Sequence, residues 1–177
     1  MLALFCYVLH TTQAQSTKRC LPMSSVFLDI LSEVNEKLRR RFECVYPGRQ
    51  PLASGNCGFV AIAMSKVLQK LNIEHFIRLY SYNMFDRNFT TWQECFDAEL
   101  SGDHLICIHN DTWLDFTLNK QYKKEKVLLW NYQYIDIKDT NMDSLRMFCE
   151  ANTMPWLEYS LLEELILESA RSKGLKV

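Results

Sequence analysis

The chain has 177 residues, of which 48% are hydrophobic and 23% are charged, with a formal net charge of −1 and a pI near 6.4. This length and apolar content are enough to bury the core of one globular domain. The near-neutral charge excludes the basic footprint of a nucleic-acid-binding domain. No internal repeat or Pro/Gly-rich linker divides the sequence, so we expect one domain over residues 21–177.

Residues 1–20 have two interpretations. Residues 2–9 form a short apolar run, and Thr12-Gln13-Ala14 resembles a small-residue cleavage site, as in a signal peptide, but no Lys or Arg precedes Lys18. The segment is therefore either a signal peptide or a flexible N-terminal extension. The apolar run is too short to span a bilayer, so we expect no membrane span.

The cysteine count bears on the compartment. Of seven cysteines, five would remain if Cys6 left with a leader and Cys57 stayed a free thiol, and an odd number fits a complete disulfide framework badly. Cys107 has the pattern of a strand-interior thiol and Cys149 that of a helix-packing thiol. A reducing, cytoplasmic environment is favoured, whereas secretion would follow if residues 1–14 are a signal peptide.

Two amphipathic helices are predicted in the first half of the chain. The first ends in the basic run Arg39-Arg40-Arg41, expected at its solvated end, and its apolar face comprises Val26, Phe27, Ile30, Leu31, Val34 and Leu38. The second opens at Cys57, and its apolar residues recur at three- and four-residue spacing: Val60, Ala61, Met64, Val67, Leu68 and Leu71. A helix N-terminus favours a thiolate, so Cys57 is a candidate nucleophile. The alternative is that it packs as a small hydrophobe.

An aromatic-rich stretch over residues 80–100 follows. Its aromatic residues stand among polar ones and are Tyr80, Tyr82, Phe85, Phe89, Trp92 and Phe96. The stretch is either a substrate-facing insertion or an aromatic cluster packed on the core.

A β-hairpin is predicted around Asn110-Asp111. Two short apolar runs flank these turn-forming residues. With a two- or four-residue loop, His104 pairs opposite Thr117, and Asp115 points to the same face as His104, as a diagonal neighbour within side-chain reach. A three-residue loop would turn Asp115 to the other face.

The remaining sequence favours a mixed α+β class. After a Lys-rich loop over residues 120–126, residues 127–130 and 132–137 are strand-like in their β-branched and aromatic content. Two helices are expected over residues 142–151 and 156–172. The packing stripe expected for the last helix consists of Leu157, Leu161, Leu165 and Ile166.

Cys57, His104 and Asp115 together supply what nucleophilic catalysis requires. A thiol attacks, an imidazole takes its proton and later protonates the leaving group, and a carboxylate holds the imidazole's tautomer and stabilises its cation. The tetrahedral intermediate also needs N–H donors, and the backbone N–H of Cys57 is expected to be one. The candidates for a second donor are Gln50, Asn56 and Trp92.

These motifs resemble the transglutaminase-like branch of the papain-like thiol enzymes. Those proteins carry Gly-x-Cys-x-x-x-Ala at the opening of a helix, as Gly55, Cys57 and Ala61 do here. They then have a strand that begins with His and an aromatic-x-Asp in the next strand, as His104 and Trp113-Leu114-Asp115 do here. The resemblance covers about residues 50 to 120 and lies in the order and context of short motifs.

The resemblance implies that Cys57 is the nucleophile, His104 the base and acid, and Asp115 the orienting carboxylate, and we expect no cofactor. It implies a papain-like α+β fold with an N-terminal helix, a nucleophile helix packed on an antiparallel sheet, and C-terminal helices. The chain departs from the family pattern at Ile106, where an aromatic residue is frequent, and at Ile108, where an acidic residue is frequent. Its interval between Cys and His is also longer, and the extra length falls in the aromatic-rich stretch.

Other assignments are weighed against this one. Ovarian-tumour deubiquitinases share a similar Gly-Asn-Cys-Gly-Phe string, but their motif starts with Asp where this chain has Ser54, and they place the catalytic His near the C-terminus, whereas no His follows His109. His109, of opposite strand parity to His104, is the alternative base. A metal site at His104, Cys107 and His109 lacks the ligand spacing of structural zinc, so we expect none.

We therefore expect a thiol-dependent acyl-transfer enzyme, either a hydrolase or a transferase, that acts on an amide, isopeptide or thioester carbonyl of a protein, peptide or small amide substrate. Peptidase, amidase and deamidase activities share the same residues and stay open, as does the oligomeric state. The ovarian-tumour-like protease remains an alternative. A non-catalytic binding domain that keeps the fold is the other.

Overall fold

The computed structural model describes residues 23–45, 56–84, 88–115, 133–152 and 157–177. These ranges contain five helices and a four-stranded antiparallel sheet, which confirms the expected mixed α+β class. In chain order the elements are α1 (Met23–Val45), α2 (Cys57–Lys70), β1 (Phe76–Ser81), α3 (Trp92–Asp97), β2 (His104–His109), β3 (Thr112–Leu114), β4 (Gln133–Ile137), α4 (Met142–Asn152) and α5 (Tyr159–Ser172).

The first helix packs as its sequence pattern predicts. Its buried residues recur every three or four positions and are Phe27, Ile30, Leu31, Val34 and Leu38. The basic run lies on the solvent side, where the exposed Arg39 and Arg40 both bond to Glu36. Exposed ion pairs of this kind contribute little to stability, so the apolar stripe is what holds α1 in place.

The second helix is the centre of the core. Eleven of its fourteen residues are buried, from Cys57 at its start to Leu68 near its end. It contacts β2, α4 and α5, and a helix that is apolar on nearly all sides is stable only when enclosed in this way. The surroundings of Cys57 are therefore fixed by packing on several sides of the helix.

The sheet has the strand order β3-β2-β1-β4. Because side chains alternate along a strand, one face turns toward the helices and carries Ile77, Leu79, Leu105, Cys107 and Leu114. The opposite face carries a separate apolar cluster of Phe76, Tyr80, Ile106, Ile108 and Trp113. Tyr80 pairs with His104 on β2, which places His104 on this second face.

The β2–β3 hairpin has the register that its sequence predicts. His109 pairs with Thr112, which leaves Asn110 and Asp111 as a two-residue loop. Both loop residues have positive φ, 46° and 56°, as a type I′ turn requires. Thr117, the predicted partner of His104, lies outside the described residues.

The last helix differs from its prediction. It begins at Tyr159, and its buried residues are Tyr159, Leu162, Ile166, Ser169 and Ala170. The prediction that Leu161 lies in the packing stripe is wrong, because the buried face is rotated by one residue. Small residues at 169 and 170 allow α5 to approach α1 and α2 closely, and a pattern search that favours leucines overlooks them.

The remaining predictions concern compartment and chain ends. Cys107 lies inside β2 and Cys149 inside α4, both as buried thiols. Gly174, with a φ of +81°, follows the end of α5. Within the described ranges, no helix has the length and apolar character needed to cross a membrane. Residues 1–20, expected to be a signal peptide or a flexible extension, and the expected strand over residues 127–130 lie outside these ranges.

The type I′ turn gives a stability prediction. Replacing Asp111 by Gly should raise the free energy of unfolding by about 0.5–1 kcal/mol, because glycine adopts the positive φ without steric cost. Thermal or urea unfolding followed by circular dichroism would measure it. Thr140→Gly, at an exposed loop position with ordinary φ, is the control and should not stabilise the protein. An Asp111→Gly protein that is no more stable than the parent would contradict the turn geometry.

Candidate active site

Cys57 is the first residue of α2, and the chain enters the helix through Asn56. The Asn56 carbonyl accepts the N–H of Val60 at 3.0 Å, the first turn of the helical ladder. Its side chain makes no capping hydrogen bond to the helix. The backbone N–H groups of the first turn and the positive end of the helix dipole therefore lie at the end of α2 that carries the Cys57 thiol.

His104 and Asp115 form a buried hydrogen-bonded pair. His104 Nε2 lies 2.7 Å from Asp115 Oδ2, and the two side chains are only 9% and 4% exposed. His104 opens β2, and Asp115 directly follows β3. The two-residue turn of the hairpin places both side chains on the same face of the sheet, so local turn geometry sets this contact.

The charge state of His104 follows from its neighbours. Burial disfavours the imidazolium, but hydrogen bonds with Asp115 and Cys57 and the negative charges of both partners outweigh it, and together they raise the pKa of His104 from 6.5 to about 10. Because Asp115 occupies Nε2, Nδ1 is the ring nitrogen left to exchange a proton with the Cys57 thiol. The arrangement suits a thiolate–imidazolium pair that a carboxylate orients.

The structure thus brings Cys57, His104 and Asp115 together. The three predicted oxyanion donors differ in where they lie. Gln50 lies outside the described residues. Asn56, fully buried, directly precedes Cys57, so it stays a candidate by position. The indole N–H of Trp92 is not available to an oxyanion, because it donates to the Asp139 carbonyl at 3.2 Å and the side chain is fully buried.

The other two described histidines have structural partners. His109 Nδ1 donates to the Glu74 carbonyl at 2.9 Å, and its Nε2 accepts from the Asn110 amide at 3.1 Å. A ring with both nitrogens engaged in hydrogen bonds has no nitrogen left for a thiol. This argues against His109 as the alternative base. His75 similarly bonds to the Ile73 carbonyl at 2.8 Å and to Ser65 at 2.7 Å.

Two neighbours of the trio were missed in the sequence. Tyr80 lies directly opposite His104 on β1, and only knowledge of the strand register could have pointed to it. Cys149, on α4, is fully buried, and burial together with the charge of Cys57 raises the pKa of Cys149 well above its ordinary value. Nothing in the sequence indicates that α4 comes near Cys57, because that approach depends on long-range packing.

Neither metal-ligand geometry nor comparison with known proteins indicates the function of this site. In the part of the chain that the structure describes, no group of three His, Cys, Asp or Glu side chains is arranged to hold a metal ion. In comparisons with known proteins, no family model, curated protein or solved structure matches this chain. Any function must therefore be argued from the geometry of Cys57, His104 and Asp115.

Asp115→Asn should lower the pKa of His104 from about 10 toward its ordinary range, because the ring stays buried while the carboxylate charge is gone. NMR titration of histidine ring resonances would measure the change. In the parent, the raised pKa means that the folded state binds the His104 proton more tightly than the unfolded state does. The resulting stabilisation is fully present below about pH 6.5 and is lost as the pH rises through about 10. The stability of Asp115→Asn should therefore fall less steeply over that pH range.

The ring resonances of His75 and His109 serve as internal controls and should have the same chemical shifts in the parent and in Asp115→Asn at a fixed pH. If His104 still titrates near pH 10 without the carboxylate, the hydrogen bond between the two side chains does not govern its charge.

Trp92→Phe tests the placement of Trp92. Losing the indole N–H bond and part of the buried ring should lower the free energy of unfolding by about 1–3 kcal/mol. The alkylation rate of Cys57, measured by peptide mass spectrometry, should stay at the parent value. A folded Trp92→Phe protein with strongly reduced Cys57 reactivity would contradict this placement and show that Trp92 contributes to the site.

Proposed function

We propose that this protein is a thiol-dependent acyl-transfer enzyme of papain-like, transglutaminase-like architecture, with Cys57 as nucleophile, His104 as base and acid, and Asp115 as orienting carboxylate. The observation that carries the proposal is the buried His104–Asp115 hydrogen bond of 2.7 Å, with the Cys57 thiol interacting with the same imidazole. A nucleophile beside a base that a third group orients is the arrangement that covalent catalysis requires.

The reaction follows from these roles. The Cys57 thiolate attacks the carbonyl carbon of an amide, isopeptide or thioester, and a carbon–sulfur bond forms as the carbonyl electron pair moves to oxygen. The backbone N–H of Cys57 is suited to stabilise that oxyanion. Collapse of the intermediate expels the amine or thiol, which takes the proton from His104 Nδ1, and leaves a thioester on Cys57.

In the second half of the reaction, His104 accepts a proton instead of donating one. Water or an amine attacks the thioester while His104 takes the attacking group's proton, and collapse releases an acid or a new amide together with the Cys57 thiolate. Asp115 stays bonded to Nε2 throughout, so the ring keeps its orientation in both protonation states. The choice between hydrolysis, transfer and deamidation depends on which acceptor reaches the thioester.

Two observations favour this proposal over its alternatives. An ovarian-tumour-like protease would need a histidine near the C-terminus, whereas His104 already interacts with both Cys57 and Asp115. A non-catalytic domain would have no need of a charged imidazole beside a thiol. The second alternative is decided by the reactivity of Cys57, since a structural cysteine is inert near neutral pH.

The proposal predicts a fast reaction of Cys57 with iodoacetamide at pH 6.5. An unperturbed thiol with a pKa near 8.5 is only about 1% ionised at that pH, so a thiolate paired with an imidazolium should react at least about tenfold faster. His104→Ala should remove this advantage. Alkylation rates resolved by peptide mass spectrometry would show both effects.

His109→Ala is the matched control and should leave the rate at Cys57 unchanged. Cys95 is an internal control, because burial raises the pKa of its thiol to about 12 and it should stay unmodified in the folded protein. If Cys57 reacts no faster than an ordinary thiol, or if His104→Ala has no effect, the catalytic role of the trio is wrong.

A further inference from the structure

The sheet face that carries His104 also carries an exposed tyrosine, Tyr134, and a second exposed tyrosine, Tyr82, follows the end of β1. Tyr80 pairs with His104 on one side and with Tyr134 on the other, so the three lie in one row across the sheet. Tyr134 is 56% exposed, and Tyr82, just beyond the end of β1, is 68% exposed. With strands about 4.8 Å apart, the backbone of Tyr134 lies about 10 Å from that of His104.

The ring of Tyr134 is held in place although it is exposed. The Arg78 guanidinium lies over it, 4.2 Å from the ring centroid, and the ring of Tyr80 lies 5.7 Å away. Asp136 fixes Arg78 with two hydrogen bonds of 2.6 and 2.8 Å and balances its charge. The face therefore presents a positioned aromatic ring without an uncompensated positive charge from Arg78.

An exposed carboxylate lies beside this face. Asp103, exposed and directly before His104, accepts the N–H of Tyr82 at 3.0 Å and the hydroxyl of Ser101 at 2.7 Å. Its carboxylate is thereby fixed beside the exposed Tyr82.

We infer that this tyrosine face, defined by the exposed Tyr82 and Tyr134 around the buried Tyr80 with the Asp103 carboxylate, binds a positively charged Lys or Arg segment of a protein or peptide substrate whose reacting carbonyl lies at Cys57. The inference rests on the proposed function. The exposed rings of Tyr82 and Tyr134 and the fixed carboxylate attract a cation by cation–π and charge interactions and disfavour an anion. The cation is a recognition group, placed about three extended residues from the reacting bond.

The test compares thiol reagents of similar size and opposite charge, so that no substrate need be known. Trimethylammonium-ethyl and sulfonatoethyl methanethiosulfonate both form a mixed disulfide with a thiolate and release methanesulfinate. At low ionic strength the cationic reagent should modify Cys57 at least about fivefold faster than the anionic one, and the ratio should approach one in about 1 M salt.

Two variants locate the effect. Asp103→Asn keeps the acceptor oxygen for Tyr82 but removes the charge, and Tyr134→Ser removes the exposed ring. Each should lower the cation-to-anion ratio at least about twofold. Asp29→Asn is the matched control: it removes an exposed carboxylate from α1, whose Phe27 contacts His109 at the far end of β2, and should leave the ratio unchanged.

The outcomes separate this inference from the proposed function. If Cys57 is inert to neutral iodoacetamide, the proposed function fails. If Cys57 reacts with iodoacetamide but shows no cation preference, or a preference that neither variant lowers, the inference alone fails.

Discussion

The contact between His104 and Asp115 depends on one local constraint, the length of the turn that joins β2 to β3. Two residues with positive φ, Asn110 and Asp111, make a loop whose parity puts both side chains on the same face of the sheet. One residue more would turn Asp115 to the face that packs on the helices. A carboxylate would then enter an apolar layer, and the imidazole would lose the partner that keeps it charged. The length of this two-residue turn therefore determines whether His104 and Asp115 can form their hydrogen bond.

Cys57, the proposed nucleophile, is positioned by a different kind of constraint. Helix α2 is buried on nearly all sides, so neither its axis nor its first residue can shift without disturbing contacts with β2, α4 and α5. Helix packing therefore fixes Cys57, while strand pairing fixes His104 and Asp115. Cys57 and His104 each begin a rigid element and Asp115 directly follows one, which is the placement that a pre-organised site requires.

How much the sequence predicts varies with the range of the interactions. The helix at Cys57, the face of α1 and the register of the hairpin depend on local spacing, and the structure confirms them. The buried face of α5 depends on how closely small residues let it approach other helices, so choosing Leu161 from its hydropathy was wrong. The engagement of the Trp92 indole by Asp139 joins residues 47 positions apart, and no local pattern contains that information. The exposed row from Tyr80 to Tyr134 likewise needed the pairing of β1 with β4.

The three described histidines differ in a way that bears on function. His75, partly buried, and His109, buried, each donate to a backbone carbonyl, and such bonds satisfy the ring nitrogen and stabilise the fold. His104 instead interacts with two side chains that can change charge, Asp115 and Cys57. Buried ion pairs often stabilise a protein no more than well-packed apolar residues would, and Ile106 and Ile108 on the same strand show that apolar side chains fit this face. Stability accounts for His75 and His109, whereas the buried His104–Asp115 pair is the arrangement that the proposed proton transfer requires.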